Sequence, residues 1–564
     1  MSRKIYCPSI FAAYFIFIPI SIAQNVPHPP ETSIIDDNGV DLINGGEVYP
    51  INLGSIGQHD YILSYSETQT VNGIVSNAFG TASVYQNDLD LKNYVDVFDG
   101  ESFQQFVNPS AYSGSFNPVR GRYATLTVSV DQKTATYTKS DGAIYTFISI
   151  PGIAYADPLL RLVKINRPNG LVTDISWQRS NSFTRPVSIV NNAGYKITFT
   201  YQYDGTDSAK ISDWITVKSV GFINLSYSQN AIHTSQKNKI SATEYSVSTI
   251  SGQYWKIYSD SNFLKIMNPS DSSYMKIYSI TVDPYQNRII SKVNDHGTIT
   301  NYGYSPSNEN SSGIMTVTNP DNSIKSVSFS FSQSKVARAI YLKSVKDENG
   351  NIKTYTTRTD YQPSRVVQPE GNYTDYGYDS RGNLTSVVDH EKPSGTASIT
   401  RYGLTFASNC SNTITCNLPT SITDANGNTT NYQYDPTHGG IIMESLPADV
   451  NGIRPVKRYA YAQRYAWISN GAGGYVKASS PIWVKTEERT CRTTATVGNT
   501  CSGGSSDEIV TVFDYGPDSG PNNLLLRGIA ITADGQTLRH CFGYNTSGNK
   551  ISETKPLGTG VSCP

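Results

Sequence analysis

Methionine and tryptophan are scarce, five of each in 564 residues, and charged side chains make up only 16% of the chain. Helical bundles and coiled coils draw on charge-rich amphipathic runs, and disordered chains carry few aromatics, so the composition disfavours all three. An excess of either charge is missing too. Lys and Arg number 45 against 46 Asp and Glu, a formal charge of -1 with a pI of about 6.7. Without a basic patch to neutralise phosphates, neither nucleic acid nor an anionic membrane is an expected partner. Beyond residue 23 no apolar run reaches the roughly 20 residues that a membrane-spanning helix needs, so no transmembrane segment is expected.

What is abundant is tyrosine, with 39 residues, alongside 44 Gly. Aromatics suit pleated, half-buried strands and Gly suits turns, which points to polar-faced β structure. The length allows three or four domains of about 150 residues, or one large repeat architecture. At the N-terminus, Arg3 and Lys4 form a short positive region, Ile10 to Ile20 an apolar run, and Ser21-Ile22-Ala23 a small-residue cleavage site. These read as a secretory leader removed after Ala23. The mature chain then begins at Gln24 with 43 basic and 46 acidic residues, a balance of -3. Cys7 precedes the apolar run, whereas a lipid-anchored protein carries its cysteine after it. The expected location is the periplasm, the cell surface or the medium.

Cleavage leaves Cys410, Cys416, Cys491, Cys501, Cys541 and Cys563, an even set in the last third of the chain. In an exported protein disulfides are the default reading, and zinc sites favour tighter spacing with His nearby. The couples 410/416, 491/501 and 541/563 are local in sequence, and local pairing is preferred among the connectivities that six cysteines allow. Each such loop is worth roughly 2 to 3.5 kcal/mol on the loop-entropy estimate, which pins hairpins and leaves the fold to packing.

Period-two alternation recurs at Leu126, Val128 and Val130, at Ile197, Phe199, Tyr201 and Tyr203, and at Val327, Phe329 and Phe331, each read as a half-buried strand. Turn signals interrupt these runs, and no amphipathic helical stretch follows the leader. Repetition is the stronger signal. Gly297 leads to Tyr302 and Tyr304, Gly371 to Tyr376, Tyr378 and Asp379, and Gly427 to Tyr432, Tyr434 and Asp435, each Gly standing five positions before the first Tyr; Gly350 leads likewise to Tyr355. A further echo is Tyr254 to Ser259, which returns as Tyr274 to Ser279. One unit reads as a short strand, a turn where Gly supplies positive φ, and a strand whose Tyr residues at i and i+2 share a face. A single hairpin cannot bury that face; stacked copies can.

The motif Gly371-x4-Tyr376-x-Tyr378-Asp379-x2-Gly382-Asn383-Leu384-x2-Val387 resembles the tyrosine-aspartate (YD) repeat of rearrangement hotspot (RHS) proteins. The stretch Arg489 to Pro564 is similar to the Cys-containing repeats of bacterial RHS proteins, and Asn38 to Leu42 and Ile51 to Gly57 resemble the region before the repeats. The pattern is broken where Asn545 replaces Asp and by long irregular inserts at 390–420 and 436–530. The resemblance implies an all-β, solenoid-like stack of hairpins curled into a long sheet or partial hollow shell. It also implies a C-terminal effector enclosed by that shell. Asp157-Pro158, Asp283-Pro284 and Asp435-Pro436 lack the Gly expected in the family's self-cleavage motif, so the chain reads as an incomplete shell or the first part of a longer product. The expected organisation is a leader over 1–23, a pre-repeat β region over 24–120, a degenerate repeat region over 121–344, and YD repeats over 345–564.

No nucleophile elbow, zinc-protease, phosphate-loop or dinucleotide motif is present in the sequence, and the seven His residues are widely scattered. Asp347 to Asn351 and Asp424 to Asn428 look like the start of a calcium loop, but neither has the closing Glu, and a hairpin turn explains both. The acidic run Asp96 to Glu101 reads as a solvated turn. The Tyr pairs are read as packing elements in preference to sugar-stacking platforms. The expected function is therefore a non-enzymatic shell, without cofactor or metal, that carries an effector in bacterial competition. The alternative is a surface adhesin for glycans or cells.

Overall fold

The computed structural model describes Pro27, residues 35–554 and Cys563, less the segments 43–48, 59–60, 71–72, 77–80, 87–91, 99–102, 119–123, 151–158, 181–182, 242, 268–274, 283–287, 308–311, 332–339, 359–361, 393–397 and 499. The expected leader, Asp157-Pro158 and Asp283-Pro284 lie outside the described residues. Apart from two 3-10 turns, Ser208–Lys210 and Ser505–Asp507, the only helix among the described residues is the five-residue Ile211–Ile215. The rest is strand and turn.

Alternation dictates the strands. In Tyr195–Tyr201 the side chains of Tyr195, Ile197, Phe199 and Tyr201 are buried while Lys196 and Thr198 are half-buried and Thr200 exposed. The run that begins at Leu126 ends sooner than its pattern suggests. Thr125–Val128 is the strand, and Val130 is 90% exposed in a reversal where the Gln132 amide donates to the Ser129 carbonyl. Ser129 and Asp131, which hydrogen-bond each other, favour the turn over one more apolar step.

Among the described residues, thirty-six strands form one antiparallel sheet that closes around an axis, and nearly every strand pairs with its successor in the chain. Closure occurs at Leu159–Asn166. One edge of that strand pairs with Ile144–Ile148. The other edge is shared: Leu159, Leu160 and Arg161 pair with Ser83, Ala82 and Thr81, while Lys164, Ile165 and Asn166 pair with Asp174, Thr173 and Val172. The first strands therefore form a ring, from which the sheet departs and continues to Lys550–Glu553. It crosses residues 120 and 344 without a break, since Gly114–Pro118 pairs with Thr125–Val128 and Ile340–Lys346 pairs on both edges. The two echo strands, Tyr254–Ser259 and Met275–Val282, flank the same neighbour, Phe263–Met267.

The later part of the wall returns over the earlier part. Asn192 Nδ2 donates to Ser480 Oγ at 2.9 Å, the Trp483 amide to the Asn169 carbonyl at 2.8 Å, and Asn224 Nδ2 to Asn522 Oδ1 and the Thr546 carbonyl, both at 2.9 Å. The irregular inserts supply several of these contacts. Val456–Arg464 pairs directly with Ile482–Cys491, which leaves 465–481 as a side hairpin whose Trp467 carbonyl accepts from Ser226 Oγ at 2.7 Å. The sheet register thus survives the inserts.

Filling is uneven. Among the described residues, the continuous apolar core runs from Val40 to Leu342 and takes from the later chain the buried Ala466, Ala478, Ile482 and Leu524, with Val345, Tyr355 and Ile468 packed against it. Part of the filling is the N-terminal segment itself: Ile51, Leu53 and Ile56 are buried, and Ser235 Oγ donates to the Leu53 carbonyl.

Gly170 and Gly427 separate the turn conformation from the contact between layers. Both have positive φ, +85° and +80°, but a Cβ on Gly170 would stand 2.6 Å from the Pro481 carbonyl oxygen whereas one on Gly427 meets nothing within 4 Å. Gly427→Ala is expected to cost about 1 kcal/mol from backbone strain alone, and Gly170→Ala about 2 to 4 kcal/mol because backbone must also move. Urea midpoints of the two variants measure the difference; equal midpoints would mean that the layers do not touch there.

Candidate functional site

The repeat unit is the candidate site, and its turn comes first. Asp379 Oδ1 accepts the amides of Arg381 and Asn383, each at 2.9 Å, and Oδ2 accepts Asn383 Nδ2 at 3.0 Å. Gly382, at φ +77°, donates its amide to the Asp379 carbonyl. Asp347 does the same with Asn349 and Asn351 around Gly350, and Asp424 with Asn426 and Asn428 around Gly427. The Asn351 and Asn428 side-chain bonds are the main reason that both carboxyls lie below the usual Asp range. These carboxylates spend their lone pairs on the turn's own donors, so the likeness to a calcium loop is a likeness of turn chemistry. At Asn545 the side-chain oxygen accepts from Ser547 and Asn549 at 3.0 and 2.9 Å, so Asn preserves the turn. Asp435 accepts from Thr437 and His438 at 2.7 and 3.2 Å. Gly297 and Gly371 occupy their turns at φ +80° and +93°.

The strand before the turn has a second device that the sequence reading did not foresee. The register slips by one residue immediately before a Tyr: between Thr200 and Tyr201, Gly377 and Tyr378, Gln433 and Tyr434, Ala460 and Tyr461, and Gly543 and Tyr544; the residue two before it is Tyr in three cases and Phe in the first and last, and Tyr304 follows no slip. Each bulge re-aims the ring, and the hydroxyl then donates to a backbone carbonyl upstream. Tyr201, Tyr378 and Tyr434 reach Pro186, Pro363 and Pro419, each fifteen residues earlier, at 2.5, 2.8 and 2.7 Å. Tyr461 and Tyr544 reach Ile441 and Leu526 at 3.0 and 2.7 Å. The sequence does hold a signal for the three Pro cases, a Pro fifteen positions before a Tyr, but it becomes readable only once the ladder is known.

Exposure departs from the expectation of a buried Tyr face. Tyr302 is buried, at 6%, and Tyr304 stacks on Phe329 with centroids 5.8 Å apart. Tyr355, Tyr376, Tyr378, Tyr432 and Tyr434 are all half-buried. The latch tucks the hydroxyl of the second Tyr into the wall, but few apolar residues of this half join the core, so the rings keep one side partly uncovered. Burial still raises the phenol pKa at Tyr376, Tyr432 and Tyr434.

The six cysteines meet as Cys410 with Cys416, Cys491 with Cys501 and Cys541 with Cys563, at Cα separations of 4.9, 5.6 and 5.5 Å. Cys491, Cys501 and Asp507 form the single metal-like cluster found among the described residues. Its sulfurs are paired with each other, and Asp507 is already engaged. The carboxylate accepts the amide and hydroxyl of Thr493 at 2.9 and 2.7 Å and those of Thr494 at 3.1 and 2.5 Å. The Thr494 and then the Thr493 hydroxyl bonds hold its pKa down to about 2. Elsewhere, Asp96 accepts Gln105 Nε2 at 2.9 Å. His438 is buried between the Tyr461 and Trp483 rings, and burial lowers its pKa, partly offset by Asp435.

A family model described as RHS Repeat matches residues 362–397, so the chain carries an RHS repeat there. No curated protein matches the sequence. Among solved structures, the chain is similar to the Photorhabdus luminescens Tc holotoxin pore, with 12% identity and a TM-score of 0.30 over 89% of this chain and 29% of that one. It is also similar to TcdB2-TccC3, with 11% identity and a TM-score of 0.29 over 91% of this chain and 29% of that one. The chain spans less than a third of the length of either.

Two measurements follow from this geometry. Tyr434→Phe keeps the ring and strands the Pro419 carbonyl, so a loss of about 1 kcal/mol is expected, with about 2 to 4 kcal/mol for Tyr434→Ala. Unchanged unfolding midpoints for both would remove the latch. For Asp507 the folded pKa lies below the unfolded value of about 3.9. Its stabilisation is therefore present in full above about pH 4 and fades as the pH falls toward 2. Hydrogen exchange of residues 492–507, corrected for intrinsic rates, should show protection falling across that window. Asp507→Asn should be poorly protected throughout, and a flat wild-type profile would refute the assignment.

Proposed function

We propose that this RHS-repeat chain is an exported, non-enzymatic wall that encloses a polypeptide effector for delivery in bacterial competition. The observation that carries the reading is the continuous sheet: thirty-six strands closing around an axis, with a ring at its start, make an enclosure and not a flat platform. The family resemblance of the repeats supplies the enclosed occupant. Export is supported by the leader reading and by three cysteine couples at disulfide spacing, which we take to be oxidised in the mature protein. Among the described residues no helix is long and apolar enough to cross a membrane. The carboxylates of the repeats serve their own turns, and the second Tyr hydroxyls serve the wall, which suits a structural part.

The half-buried rings favour one second reading, a surface adhesin that stacks Tyr376, Tyr378, Tyr432 and Tyr434 on sugar rings. The experiment that separates the two appends a protease-sensitive unfolded segment after Pro564 and compares its cleavage rate with that of the same segment alone. Enclosure predicts protection of at least ten-fold, lost when the wall is unfolded by urea. Equal cleavage rates, with retention on a glycan array, would replace the carrier by the adhesin.

A further inference from the structure

Thr stands two positions before the first Tyr of each pair: Thr300 and Tyr302, Thr374 and Tyr376, Thr430 and Tyr432. Residues two apart on a strand share a face. Register aligns the three Thr residues: Thr300 stands opposite Val293, Thr374 opposite Val366 and Thr430 opposite Ile422, and the strand beyond brings Tyr278, Tyr355 and Leu404 to the same row; Glu444 stands opposite Tyr432 in the third copy. Val293 and Val366 are buried, and so are Val317 and Val387 opposite Tyr302 and Tyr376.

In the first copy this pair of hydroxyls is occupied by the chain's own N-terminal segment. Residues 36–40 form a turn of the repeat kind, in which Asp36 Oδ1 accepts the amides of Asn38 and Val40 at 3.0 and 2.9 Å and Gly39 lies at φ +81°. Asn38 Nδ2 donates to the Tyr302 hydroxyl at 2.9 Å and to Thr300 Oγ1 at 3.3 Å. The Tyr302 hydroxyl donates to Asp36 Oδ2 at 2.5 Å, and the Tyr278 hydroxyl donates to the Asn38 carbonyl at 2.9 Å. The match is specific: a carboxamide donor, a carboxylate acceptor and a backbone carbonyl meet two hydroxyls and a third from Met275–Val282, two strands away. Val40, at 0% exposed, follows the turn into the core.

The other two copies carry the same Thr and Tyr, half-buried at Tyr376 and Tyr432; in each the two side chains hydrogen-bond one another, and among the described residues no Asx turn donates to either pair. Thr374 Oγ1 gives its proton to Asp389 at 2.7 Å and so keeps lone pairs for a donor, the role Thr300 plays toward Asn38. We propose that the Thr374/Tyr376 and Thr430/Tyr432 pairs are seats for Asp-x-Asn-Gly turns of a second polypeptide. The occupied seat identifies the occupant's chemistry. This goes beyond the carrier reading, since it specifies a recognition element and holds for any polypeptide that presents such a turn.

The test uses the full mature chain and a labelled synthetic peptide of sequence 33–43, which contains the turn. Saturable binding at about two equivalents is expected. Tyr376→Phe and Tyr432→Phe, which retain the ring, should each weaken one site about five-fold, as should a peptide in which Leu replaces Asn38. Unfolding midpoints of the Phe variants confirm that the wall is intact, since neither Tyr makes the bulge latch. Absence of saturable binding up to millimolar peptide would overturn the proposal, as would binding that survives the double Phe variant. Binding lost only in Tyr302→Phe, which reports exchange at the filled seat, would overturn it too. So would glycan binding in place of peptide binding.

Discussion

Every strand of a sheet has two edges of backbone donors and acceptors, and an unpaired edge is both costly to bury and prone to aggregation. The wall answers this demand by never ending early. Each strand covers its predecessor, and at Leu159–Asn166 a single edge is divided between the start of the sheet and its continuation. That division requires the strand to be long enough to serve two partners, which its eight residues allow. Once the ring is closed, the curvature of everything downstream is inherited from it. The N-terminal strands can then lie against the wall as filling, and the later wall can return over the earlier turns.

Curvature also has to be produced locally, and five strands do so with a bulge placed before a Tyr. A bulge alone would leave the extra residue unpaired and the strand free to slip. The Tyr hydroxyl anchors it to a carbonyl on the preceding strand, frequently that of a Pro. Pro donates no amide to the ladder, so the strand there is already irregular, and its carbonyl accepts from outside the ladder without displacing a regular bond. On the other side of the Tyr, the Asx turn fixes where the chain reverses. Turn, bulge and latch together hold register through the later half of the wall, where few residues join the core.

These parts were unequally legible in the amino-acid sequence. Turns and strand faces were readable because they are local: Gly at positive φ, Asp or Asn three positions before it, and apolar alternation all fall within a few residues. The latch was not, because it joins positions fifteen apart whose relation depends on register. The cysteine couples lie close in sequence and meet within it. The inserts at 390–420 and 436–530 looked like breaks because their composition is irregular. In the structure they are excursions between paired strands, and 465–481 covers turns of the earlier wall through contacts 240 and 241 residues apart in sequence. Val130 shows the limit of period two, since a local Ser–Asp turn outweighs a further apolar residue.

The uneven filling is where fold and function meet. A repeat that recurs with nearly the same residues would bury its aromatic face equally everywhere if packing between hairpins were enough. It does not: Tyr302 is buried and Tyr376 and Tyr432 are half-buried, although all three stand at the same place in the unit. What differs is the presence of residues 36–40 over the first. Burial of Tyr302 is thus contributed by a separate segment as well as by the apolar core around Val293 and Val317. On the proposal above, the later half of the wall is a receiving surface, its backbone satisfied by the ladder and the hydroxyls of Tyr378, Tyr434, Tyr461 and Tyr544 by the latches. Among the described residues, the first Tyr hydroxyls there bond only their own Thr, and their rings stay half-buried.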